Sequence, residues 1–141
     1  MRTGSTTPPT SYIERVQNKY LFQQYSIKKR EIDKRNPGQN NERLLYHGTD
    51  FEAIKEINKF GFNRSYCGKN DLDGLHRLCL ARVLVGKSIE TSKEVKYLPK
   101  RPDCDALYDS GKNSSESIYV IFNDIQAYPE YMLTFSLPKK M

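Results

Sequence analysis

Apolar residues recur at helical spacing over residues 11–34, where Ile13, Val16 and Tyr20 set a stripe that Leu21, Tyr25 and Ile32 widen. Asn36, Pro37 and Gly38 break that pattern and open a polar turn through Asn41. Residues 43–46 then read as a short buried strand running into His47. Thr49 with Glu52 three positions later is a capping-box pattern for a second helix. Phe51, Ile54 and Ile57 give that helix an apolar face, and Gly61 is placed to stop it in a left-handed turn. The polar, glycine-containing residues 63–74 read as a loop.

The second half carries the strand signals. "LCLARVLV", residues 78–85, is apolar on nearly both faces, as a central strand must be. Residues 87–117 contain Pro99, Pro102 and the turn-forming "DSGKNSSES" and read as mostly irregular. "IYVIF" (118–122) and "YMLTF" (131–135) are two further strands, separated by a link that contains Pro129. Helices first and strands after predict an α+β domain with a mainly antiparallel sheet. That domain covers residues 11–141, behind a Thr, Ser, Gly and Pro-rich leader at residues 1–10 that reads as disordered. A chain of 141 residues is one domain's worth.

Charge narrows the function classes. The net charge is +6, but beyond the Lys28-Lys29-Arg30 cluster and Lys139-Lys140 the cations are dispersed. No Arg/Lys stripe interleaves with aromatics, so nucleic acid is not favoured as a partner. No apolar run is long enough to span a membrane, and the first residues do not form a signal peptide. The three cysteines, Cys67, Cys79 and Cys104, are odd in number and irregularly spaced. A reducing, intracellular setting (cytoplasm or nucleus) is therefore expected. His76 and Cys79 with the other cysteines lack any CxxC pair, so no metal site is expected. Neither a GxSxG nor a phosphate-loop motif occurs.

The order of five short strings is more specific than any of them. "LLYHGTD", "GFNRSYCGKN", "ARVLVGKS", "LYDSG" and "IYVIFNDIQAYPEYMLTF" together resemble the catalytic domain of the poly(ADP-ribose) polymerase family. The nearest likeness is to its macrodomain-associated, mono-ADP-ribosylating members. "YIERVQNKYLFQQYSIKKREI" is similar to the helix that opens the domain in that subgroup. The resemblance implies an ADP-ribosyltransferase-like fold and NAD+ as ADP-ribose donor, with no metal. The acceptor would be a protein or another nucleophile. By the same resemblance His47 bonds the ribose of the nicotinamide half and Gly48 grips the carboxamide through its backbone. Asn63 and Arg64 border the adenosine half. The family position that carries a glutamate in polymerising members is Ile118 here. An isoleucine cannot accept a hydrogen bond, which implies transfer of single units. Nicotinamide would leave, an oxocarbenium-like ribose would form, and the nucleophile would attack its opposite face.

The chain also departs from the family. The Tyr-Phe-Ala segment, whose tyrosine stacks on nicotinamide, and the serine-bearing helix after it have no counterpart. Only seventeen residues separate Gly68 from Gly86. Two expectations follow. The chain is either a mono-ADP-ribosyltransferase with a reduced nicotinamide wall or an inactive domain of the same fold that serves as a binding module. Loss of a covering helix would also leave the sheet around residues 78–85 partly wet, favouring instability or oligomerisation.

Overall fold

The computed structural model describes residues 11–49, 51–61, 75–92 and 94–136. Among the described residues it is an α+β domain with two helices and seven strands, the strands forming two mainly antiparallel sheets. β1 (Tyr12–Arg15) precedes α1 (Lys19–Arg35); β2 (Glu42–Thr49) is followed by α2 (Phe51–Phe60) and β3 (His76–Leu84). β4 (Ser88–Glu90), β5 (Ser110–Lys112), β6 (Tyr119–Val120) and β7 (Ala127–Phe135) complete the order, with one 3-10 turn at Asp124–Gln126. The larger sheet runs β1-β7-β3-β2 and the smaller β4-β5-β6. None of the described helices is long and apolar enough to cross a membrane. The expected leader at residues 1–10 and loop at residues 63–74 fall outside the described residues.

β3 pairs antiparallel with β2 on one side and β7 on the other, so it occupies the central place its apolar pattern implied. Its odd-numbered residues Cys79, Ala81 and Val83 are buried against Val16, Ile57 and Met132, beneath α2. On the opposite face Leu84 packs with Tyr25, Ile32 and Tyr128 beneath α1. Ile57 therefore belongs to the core as expected. Phe51, Ile54 and the proposed Thr49 cap have side chains outside the described residues. Gly61 stops α2 in a left-handed conformation (φ 79°) and donates its N–H to the Ile57 carbonyl at 2.9 Å.

The first helix begins later than the periodicity implied. Tyr12 to Arg15 form a strand paired with Thr134 to Tyr131, and the helix starts only after Asn18, whose Oδ1 accepts from the Leu21 N–H at 3.1 Å. Pairing with the far end of the chain outweighs local helical spacing, which a window of neighbours cannot register. Tyr20, placed on the apolar stripe by spacing, is exposed, whereas Tyr25 and Ile32 are buried. β7 starts at Ala127 instead of residue 131 and takes Pro129 into the strand. The register slips between Leu80 and Ala81, opposite that proline, and such an irregularity is where a residue without an N–H fits a sheet. β4 and β5, each three residues long, lie inside the stretch read as irregular, and their parallel pairing left no alternating signal.

A buried carboxylate joins the two sheets. The Asp109 side chain, 3% exposed, pairs with the Arg35 guanidinium at the end of α1. Its Oδ2 accepts from Asn36 Nδ2 at 2.9 Å and from the Lys87 N–H at 2.8 Å. Gln126 Nε2 donates to the carbonyls of Leu84 and Asp109, both at 2.9 Å. Gly86 fits beside this carboxylate only because it lacks a side chain. It has φ 52°, and a Cβ there would lie 2.3 Å from Asp109 Oδ2. Removing one partner of a buried charged pair leaves the other uncompensated. Asp109→Ala should therefore cost about 3–5 kcal/mol in a urea melt, whereas truncating the exposed Lys100–Asp105 pair should cost under about 1 kcal/mol.

Candidate functional site

β2 is the edge strand of the larger sheet, so every second residue turns its backbone N–H and C=O away from β3. Five of its residues border a pocket of about 580 Å³. Leu44, Leu45, Tyr46, His47 and Gly48 line one wall, and Ser117, Ile118, Tyr119 and Ile121 line another. Ile57, Ala81, Val83 and Ala127 complete the lining together with Asp124. The fold thus brings His47, Gly48 and Ile118 to a single cavity although Ile118 lies far along the chain. Asn63 and Arg64 fall outside the described residues.

Each member has a local cause for its position. In the β2–β3 register His47 stands opposite Cys79 and Leu45 opposite Ala81, which directs both toward the face that carries the pocket. Protein atoms around the imidazole desolvate it, and its pKa falls below the usual 6.5. It is therefore neutral at pH 7 and able to hold a hydroxyl without contributing charge. Gly48 lies opposite Leu78, and a Cβ built on it meets nothing within 4 Å. The fold itself does not require a glycine there; the open space leaves the backbone approachable by a flat ligand. The Ile118 N–H donates to Asn113 Oδ1 at 3.0 Å, which fixes the segment entering β6.

The pocket is held open from its rim. Arg43 on β2 lies over the Tyr119 ring, 5.2 Å from the centroid, and reaches Glu116 at 3.5 Å. Lys112 Nζ bonds Glu116 Oε1 at 2.6 Å. The hydrogen bond and charge of Lys112 hold the Glu116 carboxyl below its ordinary range. Glu116, near the family's acidic position in sequence, is therefore committed to this bridge and does not line the pocket. Glu130, its side chain 14% exposed, is likewise committed and pairs with Arg82 at 2.8 Å.

Four pocket residues with polar side chains were not singled out by sequence: Tyr46, Ser117, Tyr119 and Asp124. Tyr46 and Tyr119 lie next to residues that were, and strand alternation would send them to the opposite face. Tyr119 nevertheless reaches the cavity because β6 is only two residues long. Asp124 sits in the 3-10 turn that Asn123 Oδ1 caps by accepting from the Ile125 N–H at 3.2 Å. An acid after an asparagine reads in sequence as an ordinary turn. Tyr97 and Tyr108 do not line the pocket, and Tyr66 falls outside the described residues.

Among the described residues no group of three or more His, Cys, Asp or Glu side chains is arranged to hold a metal ion. Cys79 is buried in the core, and burial pushes its thiol up to about 12, far from the thiolate a metal needs. Cys104 is a free thiol in a different part of the molecule, and Cys67 is outside the described residues.

No protein-family model matches the chain. It is, however, 34% identical over 87% of its length to human protein mono-ADP-ribosyltransferase PARP14 and covers 8% of that protein. It is 32% identical over 91% of its length to mouse protein mono-ADP-ribosyltransferase PARP12, covering 22% of it. To mouse protein mono-ADP-ribosyltransferase PARP10 it is 30% identical over 86% of its length, covering 16%. The chain thus spans less than a quarter of each of these relatives. With three of the five sequence motifs contributing to one cavity and these likenesses running through nearly the whole chain, the protein is a relative of the catalytic domain of the poly(ADP-ribose) polymerase family.

Proposed function

We propose that residues 11–141 form a shortened ADP-ribosyltransferase-like domain that transfers single ADP-ribose units from NAD+ to an acceptor protein. The observation that carries this reading is that His47, Gly48 and Ile118 line one cavity. In it the Gly48 backbone would take the flat carboxamide of nicotinamide, where the structure leaves open space. Neutral His47 would bond the ribose hydroxyl and hold the sugar in its reacting geometry. The bond between ribose C1′ and the nicotinamide nitrogen breaks, and its electron pair leaves with neutral nicotinamide. The acceptor nucleophile then forms the new bond to C1′ and releases its proton to solvent or to its own neighbouring base.

Ile118 sets the number of units. A growing chain needs an acceptor ribose hydroxyl held and polarised, and an aliphatic side chain does neither. The Tyr119 ring offers an aromatic wall in a chain that lacks the family's stacking segment, and offset or edge contact with it is worth about 1 kcal/mol. Asn63 and Arg64 belong to the adenosine side of this reading. The relatives' names, all protein mono-ADP-ribosyltransferases, support both the reaction class and the single-unit outcome.

Incubation with NAD+ labelled in the adenylate should leave label on protein after denaturation. His47→Ala should lower that transfer about 100-fold or more while the chain stays folded. A folded wild-type chain that neither binds NAD+ nor retains label would defeat the proposal. Gly48→Ala separates fold from site: its unfolding free energy should be unchanged or raised by up to about 1 kcal/mol, because a side chain meets no atom there, while NAD+ binding weakens. In a proton NMR titration His47 should lose its proton at a midpoint below 6.5. Because its folded pKa is depressed, its contribution to stability is complete above 6.5 and lost as pH falls through the folded value. Transfer should decline over the same acid limb.

A further inference from the structure

Among the described residues, the face of the larger sheet opposite His47 is only half covered. α1 packs over its Leu84 and Tyr128 end. Toward the other end the register sets Ile13, Leu133 and Leu78 in one cross-strand row. Arg15, Tyr131 and Leu80 form the next. Ile13 is 68% exposed, and the leucines beside it are half-buried. Three strands across and two rows along amount to a largely apolar patch on the order of 200 Å².

Beside the patch, between β1 and the start of α1, runs a groove of about 300 Å³. Arg15, Lys19 and Arg82 line it, and the one acid in its lining, Glu130, is already paired with Arg82. This charge selects among occupants. A second copy of the chain would set like cations against one another, and a stable dimer buries about 800 Å² per partner, roughly four times the patch. A single helix about 10–12 Å across and three to four turns long matches the patch in size.

We propose that this face docks an acidic amphipathic helix of a partner protein. Its apolar stripe lies on the Ile13 and Leu80 rows, and its carboxylates meet Arg15 and Lys19. The inference is independent of catalysis. The probe is a synthetic four-turn helical peptide with a Leu/Phe stripe flanked by glutamates, labelled for fluorescence anisotropy. A twin carries lysines in place of the glutamates. The full chain should bind the acidic peptide, more weakly as salt is raised, and should not bind the lysine twin. Arg15→Glu with Lys19→Glu, both at exposed side chains, should weaken binding about tenfold with the circular dichroism melt unchanged. Ile13→Ser should weaken it as well. Equal binding of both peptides, binding of neither, or indifference to these variants would overturn the proposal. So would light scattering that shows a dimer of this chain which Ile13→Ser dissolves.

Discussion

The two sheets are positioned by one buried negative charge. A carboxylate taken out of water must be surrounded by donors, and Asp109 finds them on two other segments: the Arg35 and Asn36 side chains at the end of α1 and the Lys87 N–H in the turn after β3. Arg101 extends the cluster by donating from Nη1 to Asn36 Oδ1 at 2.6 Å and from Nη2 to Asp103 at 2.7 Å. None of these groups touches the pocket. Yet the pocket exists only because β2 of one sheet and the β6 segment of the other stand at a fixed separation, and the Asp109 cluster holds the smaller sheet in place.

At the pocket itself, a second and weaker tie spans the same gap. Arg43, Glu116 and Lys112 are exposed, so their mutual attraction is worth little in free energy. They act on geometry, setting the Tyr119 ring against the strand that carries His47. Strong burial at one end and a solvent-screened clasp at the other make the cavity firm at its base and compliant at its mouth. Under the proposed function, a site that admits a dinucleotide and then an acceptor side chain would benefit from both.

How much of this was readable in the chain depended on the range of the forces involved. β3 announced its central place because burial on two faces leaves an uninterrupted apolar run, and Gly61 marked the end of α2 through its own backbone conformation. His47 and Gly48 were legible through local motif order. What sequence could not give was partnership at a distance. β1 is a strand only because β7 lies beside it, and Asp124 and Tyr119 enter the site only because two sheets converge. The wetting anticipated for the strand at residues 78–85 is present on one face alone, where Leu78 and Leu80 remain half-exposed.

The strand order carries a consequence for how the chain is made. β7, the last described strand, lies between β1 and β3, so the middle of the larger sheet is supplied after every other described strand has been made. Until it emerges from the ribosome, β1 has no neighbour and β3 presents an open edge beside its apolar faces. Closing the gap joins residues more than a hundred positions apart, a slow and entropically costly search. The nascent domain must therefore be shielded from its own kind until β7 has followed the other described strands.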